Sequence, residues 1–166
     1  MISVLCIDPK GYYPKLQYKY NLDLWDANRD AYNFKGGNVV IAHPPCQQWS
    51  RMKAFAKPNE YQKKLAFFCW DKVNENGGIF EHPVGSSFIK MVNPNFDNVY
   101  RVFQKDFGFP TNKATLLYFK NIKPLPVPLT FQPATKTHEQ IAYVKRSIMT
   151  LSFCEWLINN CKQLNP

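Results

Sequence analysis

Residues 38–50 of the chain, NVVIAHPPCQQWS, decide how the rest of the sequence is interpreted. Asn38–Ala42 is a short apolar run with β-branched residues, which is typical of a buried parallel strand. Pro44 and Pro45 follow, and they end the strand and stiffen the backbone. We therefore expect Cys46 on a rigid loop at the carboxyl end of that strand, where open α/β sheets bind their ligands.

Outward from this stretch, strand-like and helix-like segments alternate. Strands are predicted at residues 1–8, 22–26, 79–83, 100–107 and 115–121. Helices are predicted after an N-cap at Asn59 and ending at Asn76, at about 86–92, and over residues 151–161. Residues 9–22 indicate an irregular loop or a poor helix, residues 28–34 one helical turn, and residues 123–135 an extended loop. This alternation predicts an α/β fold as one domain over residues 1–166. Its sheet is mostly parallel, with an antiparallel edge pair from 100–107 and 115–121 and helices on both faces.

Composition limits the classes of protein that the chain can belong to. The 166 residues are enough for one domain with a core, and a hydrophobic content of 45% excludes a disordered chain. No apolar run approaches the roughly 18–20 residues that a membrane span needs, and the N-terminus lacks a signal-peptide pattern, so we expect a cytoplasmic protein. The net charge of +9 favours a phosphate-bearing partner, DNA or a nucleotide, although a basic surface alone also explains it.

Five cysteines occur without any CxxC pair, which favours free thiols in a cytoplasmic chain. Four of them lie in apolar stretches and are predicted to be core residues, whereas Cys46 does not. We expect the loop to lower the pKa of the Cys46 thiol, with Arg51 and Lys53 adding positive charge, and so to make it nucleophilic. The alternative is a tight turn with an incidental cysteine.

Glu81 ends the next strong strand and is followed by His82 and Pro83. One helix and one strand separate Cys46 from Glu81, so a right-handed crossover makes the two strands neighbours or nearly so. The thiol and the carboxylate can then face one pocket, where a carboxylate can hydrogen-bond a base ring nitrogen or amino group. The alternative is a surface glutamate at a strand end.

Two other chemistries find little support. His43, Cys46 and His82 are residue types that bind zinc, but the spacing does not complete a zinc site, so no metal is predicted. The phosphate-binding pattern GxxxxGK[ST] is absent, which argues against phosphoryl transfer.

The motifs resemble those of the cytosine-5 DNA methyltransferases. IAHPPCQQWS is similar to the family's Pro-Cys nucleophile motif, with Pro44, Pro45, Cys46, Gln47 and Ser50 matching. IFEHP is similar to its Glu-Asn-Val motif, and DFGFPTNKATLLYFKN and RSIMTLSFCEWLINNC are similar to two later blocks in the same order. The chain also resembles small bacteriophage-encoded proteins of a cytosine-methylase-like kind.

The resemblance implies a mechanism and a set of site residues. Cys46 would attack C6 of a cytosine flipped out of its duplex, Glu81 would contact N3 and the exocyclic amine, and C5 would take a methyl group from S-adenosylmethionine. The residues assigned to substrate binding are His43, Pro45, Gln47, Trp49, Ser50, Arg51, His82 and Lys113, and those assigned to the cofactor are Asp8 and Asp26.

The chain also departs from the family pattern. The loop after the first strand contains one glycine, Gly11, where the family has a Phe-x-Gly-x-Gly loop against the cofactor. Only about residues 122–146 are available for a target-recognition region, too few for a separate DNA-reading domain. The sequence therefore leaves three hypotheses open: a reduced methyltransferase, an enzyme that modifies a free nucleotide, or a catalytically idle phage-type protein. In the last, the pocket would bind a nucleotide, a nucleic acid or a host defence protein.

Overall fold

The computed structural model describes residues 1–50, 57–128, 133–137, 140–142 and 147–164. Within these ranges six strands form one sheet in the order β2-β1-β3-β4-β6-β5. The strands are β1 (Ile2–Leu5), β2 (Leu22–Trp25), β3 (Val39–Ala42), β4 (Gly78–Pro83), β5 (Val99–Phe103) and β6 (Ala114–Lys120).

The sheet is mostly parallel, as predicted. β1 pairs in parallel with β2 and β3, and β3 pairs in parallel with β4. β6 is antiparallel to both β4 and β5, so β6 alone runs against the other five strands. The predicted antiparallel edge pair is confirmed, but its first strand is shorter than predicted. Gln104–Phe107 forms a 3₁₀ turn that ends at Gly108, whose φ of +83° suits glycine.

Four α-helices complete the described fold: α1 (Tyr13–Leu16), α2 (Glu60–Asn76), α3 (Phe88–Val92) and α4 (Leu151–Cys161). The predicted N-cap of α2 is confirmed, because the Asn59 side chain accepts a hydrogen bond from the backbone N–H of Gln62. In a capping box the Gln62 side chain would accept a hydrogen bond from the N–H of Asn59, but here that N–H donates to the Gln48 side chain. None of the described helices is long and apolar enough to cross a membrane.

The pleat of the central strands sends alternate side chains to opposite faces. Ile41 and Ile79 face the layer that contains α1 and α4, where they join the buried cluster of Phe153 and Leu157. Val40, Ala42 and Phe80 face the layer of α2 and α3, where they join Leu65, Cys69, Val73 and Phe88. Helices therefore cover both faces, as predicted, and every position in β3 and β4 has a definite face.

The strand order opens a crevice at one edge of the sheet. From β1 the chain passes to β2 on one side and then returns to β3 on the other side of β1. The loops that leave β1 and β3 therefore diverge at the carboxyl ends of these strands. Such a switch point is where open α/β sheets form their binding sites.

Candidate active site

A cavity of about 1840 Å³ lies at this switch point. Its wall combines the loops after β1 and β3, the end of β4, the loop before β6, and parts of residues 134–149. Eight of the predicted site residues lie on the wall: Asp8, His43, Pro45, Cys46, Gln47, Ser50, Glu81 and Lys113. The structure thus brings Cys46 and Glu81 to one cavity, as the strand arrangement predicted.

Backbone hydrogen bonds hold the loop that carries Cys46 in place. The backbone N–H groups of Trp49 and Ser50 both donate to the Cys46 carbonyl, at 3.0 and 2.9 Å. The N–H of Ser87, beyond β4, donates to the Trp49 carbonyl at 2.8 Å. The loop is therefore tied to the adjacent strand connection, which fixes the Cys46 backbone at the cavity edge.

The thiol does not have the lowered pKa that the sequence predicted. Burial raises the pKa of Cys46, and the negative charge of Glu81 raises it further. Lys113 and a backbone N–H act in the opposite direction but do not cancel these effects. Arg51 and Lys53, which were expected to lower this pKa, lie outside the described residues. In the free protein at neutral pH, Cys46 is therefore a protonated thiol, and its use as a nucleophile requires a base.

Glu81 meets His43 because β3 and β4 are adjacent and in register. Ala42 is opposite Phe80, so the next residues of the two strands are neighbours on the α1 and α4 face. His43 Nδ1 lies 3.2 Å from Glu81 Oε2, and the two side chains are only 6% and 13% exposed. Tyr13 Oη lies 2.9 Å from the other ring nitrogen, Nε2.

The protonation states of this chain of groups follow from the charge of Glu81. Burial opposes ionisation of Glu81, but the hydrogen bond from His43 and the nearby charge of Lys113 act in the opposite direction, and the pKa of Glu81 is lowered. An ionised carboxylate can only accept, so it requires a proton on Nδ1 of His43; in the neutral ring, Nε2 is then the acceptor for the Tyr13 hydroxyl. Burial raises the pKa of Tyr13 well above its ordinary value, so Tyr13 keeps its proton.

Lys113 supplies positive charge inside the cavity. Burial lowers its pKa, while Glu81 and Cys46 act to raise it. Its ammonium group lies 5.2 Å from the centre of the Phe109 ring.

His82 and Trp49 lie away from the cavity wall, although both were assigned to substrate binding. The pleat points His82 to the α2 face, where it packs against Phe80 and Phe88, and its Nδ1 lies 2.6 Å from Ser86 Oγ. Burial lowers the pKa of His82 to about 4. Trp49 is buried by aromatic packing, with ring centres 5.5 Å from Phe67 and 5.0 Å from Phe88. Their positions are those of core residues.

The residues assigned to S-adenosylmethionine do not form a site that fits it. Asp26 is not on the cavity wall, and its Oδ1 accepts from the N–H groups of Asn28 and Arg29. Asp8 is on the wall, but its Oδ1 accepts from the N–H of Lys10. Gly11 serves the turn itself, because an added Cβ would lie 3.0 Å from the Asp8 carbonyl oxygen.

The wall residues that were not assigned to the site from the sequence include Tyr13, Cys154 and Cys6. Nothing in the sequence distinguishes Tyr13 from its neighbouring tyrosines. Cys154 is buried, as predicted for a core residue, yet it also reaches the wall beside Tyr13. Cys6 is half-buried, has a φ of +62°, and its sulfur lies 3.7 Å from that of Cys69.

Two further observations bear on the chemistry. Among the described residues, no group of three or more His, Cys, Asp or Glu side chains is arranged to hold a metal ion. Comparison with known proteins finds no matching family model and no similar sequence among curated proteins.

Proposed function

We propose that this protein is a cytosine-5 methyltransferase-like enzyme that acts on a pyrimidine base of DNA or of a nucleotide. Cys46 is the nucleophile, and Glu81 is the carboxylate that binds the base. The observation that supports the proposal is that both residues line one cavity at the carboxyl ends of β3 and β4. The five free thiols accord with a cytoplasmic protein.

The step that these residues can perform is a conjugate addition to cytosine. The S–H bond of Cys46 breaks, a bond forms between sulfur and C6, and the C5=C6 electrons move to form C4=C5. The electrons of the former N3=C4 bond take up a proton at N3. Glu81 is ionised, so it can accept the thiol proton and deliver it to N3. Atoms and charge balance within the protein and the base, and C5 becomes nucleophilic.

A base extruded from a strand, or a free nucleotide, suits this cavity better than an intact duplex. Residues 134–137 lie on the wall, and the N–H groups of Thr135 and Lys136 both donate to the Pro110 carbonyl at 3.0 Å. This segment, where the family has its target-recognition region, is therefore folded against the cavity. Lys10 and Lys136 are exposed on the wall, where they can meet a phosphate.

S-adenosylmethionine is the methyl donor that the resemblance implies, and its binding is a separate hypothesis. The loops after β1 and β2 use Asp8 and Asp26 in their own turns. Addition to the base does not involve the donor, so it can be tested without it.

Exchange of the C5 hydrogen tests the addition step alone. After addition, C5 takes a deuteron from D₂O and then loses its original proton to the solvent; elimination of the thiol, the reverse of the addition, returns cytosine labelled at C5. Proton NMR of deoxycytidine monophosphate, and of a cytosine-containing single strand, should show loss of the C5 proton with the wild-type protein. The Cys46→Ser variant should abolish exchange and Glu81→Gln should slow it about 10²–10⁴-fold. Cys161→Ala, which removes a buried thiol away from the wall, should not alter it.

A second candidate is a binding protein with a catalytically idle pocket. The raised pKa of Cys46 favours it, since burial and Glu81 both hold the thiol in its less reactive form. Calorimetry separates the candidates: nucleotide binding that Cys46→Ser leaves unchanged, with no C5 exchange, would establish the idle pocket. Heat of binding for S-adenosylmethionine, measured in the same series, decides whether the donor is held at all.

A further inference from the structure

Tyr13, His43 and Glu81 form a continuous hydrogen-bonded chain in the cavity wall, of which the proposed addition step uses only the last member. Tyr13 Oη lies 2.9 Å from His43 Nε2, and His43 Nδ1 lies 3.2 Å from Glu81 Oε2. The three residues come from α1, the end of β3 and β4. Three separate elements must therefore be placed correctly for the chain to form.

We propose that Tyr13 and His43 are positioning residues that hold the carboxylate of Glu81 for the substrate base. The inference rests on the proposed function. The His43 hydrogen bond engages Oε2, and within the described part of the chain no side chain hydrogen-bonds the other oxygen, Oε1. Oε1 is thus the oxygen that can take the thiol proton and face N3.

The role of Tyr13 is to reinforce the tautomer of His43 that the ionised Glu81 favours. When the tyrosine hydroxyl donates to Nε2, the remaining ring proton must be on Nδ1, where it points to Glu81. Without that hydroxyl the proton can move to Nε2, and a lone pair on Nδ1 then faces the carboxylate. Because Glu81 is only 13% exposed, water replaces the lost donor poorly.

Other charged groups also act on Glu81, so a test of the positioning role must leave those residues unchanged. The titratable groups coupled to it, from every element around the cavity, are Tyr13, His43, Cys46, His82, Lys113 and Cys154. Only substitutions within the Tyr13–His43 pair are therefore informative.

Two substitutions of His43 separate positioning from general packing. In His43→Asn the amide nitrogen can take the place of Nδ1 and keep the donor to Glu81. In His43→Gln the amide can take the place of Nε2, which keeps the contact with Tyr13 and loses the donor to Glu81. We expect the rate of C5 exchange to fall about tenfold in His43→Gln. The acid limb of its pH–rate profile should move to higher pH, because the pKa of Glu81 rises without the donor. His43→Asn should retain the wild-type acid limb.

Nitrogen NMR tests the tautomer without any substrate. The neutral His43 ring of the wild type should carry its proton on Nδ1, and Tyr13→Phe should increase the population of the Nε2–H tautomer. The matched control is Tyr20→Phe, which removes a partly buried hydroxyl that donates to Glu155 away from the cavity wall. Tyr13→Phe removes a single oxygen, so it remains informative if the His43 variants do not fold.

The outcomes separate this inference from the proposed function. The positioning role is supported, even if no C5 exchange occurs, by a carbon-13 titration in which the pKa of the Glu81 carboxyl rises in His43→Gln but not in His43→Asn. The positioning role is overturned if the wild type exchanges C5 and both variants lose the same share of that rate, with the acid limb of the pH–rate profile unmoved in each. A wild-type proton on Nε2 overturns it as well.

Discussion

His43 Nδ1 lies 3.2 Å from Glu81 Oε2, and this contact joins two adjacent parallel strands at their carboxyl ends. Phe80 and His82, the residues on either side of Glu81, both face the opposite layer of the sheet. A single strand therefore supplies a charged group to the cavity and a neutral histidine to the core.

Stability should fall as the pH decreases from 6.5, because His82 is buried in its neutral form. Burial lowers its folded-state pKa from 6.5 to about 4, so below pH 6.5 the unfolded chain binds a proton that the folded protein does not. Between pH 6.5 and pH 4, protonation of this residue in the unfolded chain lowers the free energy of unfolding by about 3 kcal/mol in total. Most of this decrease occurs at a pH above the range in which carboxylates titrate. Urea unfolding at pH 7 to 4.5 measures the slope.

The control for this pH dependence is His82→Gln, which cannot titrate. Its free energy of unfolding at pH 7 should be lower than that of the wild type, since the hydrogen bond to Ser86 is disturbed. Its slope with pH should nevertheless be shallower. Equal slopes for the two proteins would mean that His82 is accessible to protons in the folded state.

Gly78 should not tolerate a side chain. It begins β4 with a φ of +139°, and an added Cβ would lie 1.9 Å from the Val40 carbonyl oxygen in the neighbouring strand. Gly78→Ala should therefore lower the free energy of unfolding by at least about 2 kcal/mol. Gly37→Ala is the matched control, because φ there is +93° but no atom lies within 4 Å of the added Cβ. Its cost should be about 1 kcal/mol, from backbone strain alone. Comparable losses in the two variants would contradict the close approach of β3 and β4.

Much of this fold could be predicted because its signals are local. The N-cap at Asn59, the end of α2 at Asn76, and the bounds of α4 depend on residues within a turn or two of each other. The strand at residues 39–42 and the antiparallel pair likewise follow from apolar runs and the turn residues between them. Short-range patterns of this kind do not depend on how distant elements pack.

The side-chain geometry of the site could be predicted only in part. Both faces of β4 are buried, so its sequence is apolar without alternation and does not reveal which of Glu81 and His82 faces the cavity. The contact of Tyr13 with His43 joins elements 30 positions apart and has no local signature. The pKa of Cys46 was predicted in the wrong direction because it depends on burial and on Glu81, which only the folded structure brings to the thiol.

The N-cap of α2 should contribute measurably to stability. Asn59→Ala removes the acceptor for the Gln62 N–H and should cost about 1 kcal/mol, whereas Asn59→Asp should keep the cap and the favourable charge at the helix start. Gln62→Ala should cost less than Asn59→Ala, because the N–H of Asn59 donates to Gln48 rather than to Gln62. Thermal unfolding of the three variants at pH 7 checks this order, and a larger loss for Gln62→Ala would indicate a reciprocal capping box instead.

The reactivity of Cys46 toward iodoacetamide should respond in opposite directions to its two charged neighbours. Glu81 raises the pKa of the thiol in addition to the effect of burial, and Lys113 lowers it. At pH 8, alkylation should therefore be faster in Glu81→Gln and slower in Lys113→Met than in the wild type. Peptide mass spectrometry follows Cys46 separately from the other four cysteines. At a pH high enough to ionise the thiol fully, the three proteins should react at the same rate, because the thiolate is then equally accessible. Rates that differ there but not at pH 8 would show that the substitutions change access to Cys46 rather than its charge.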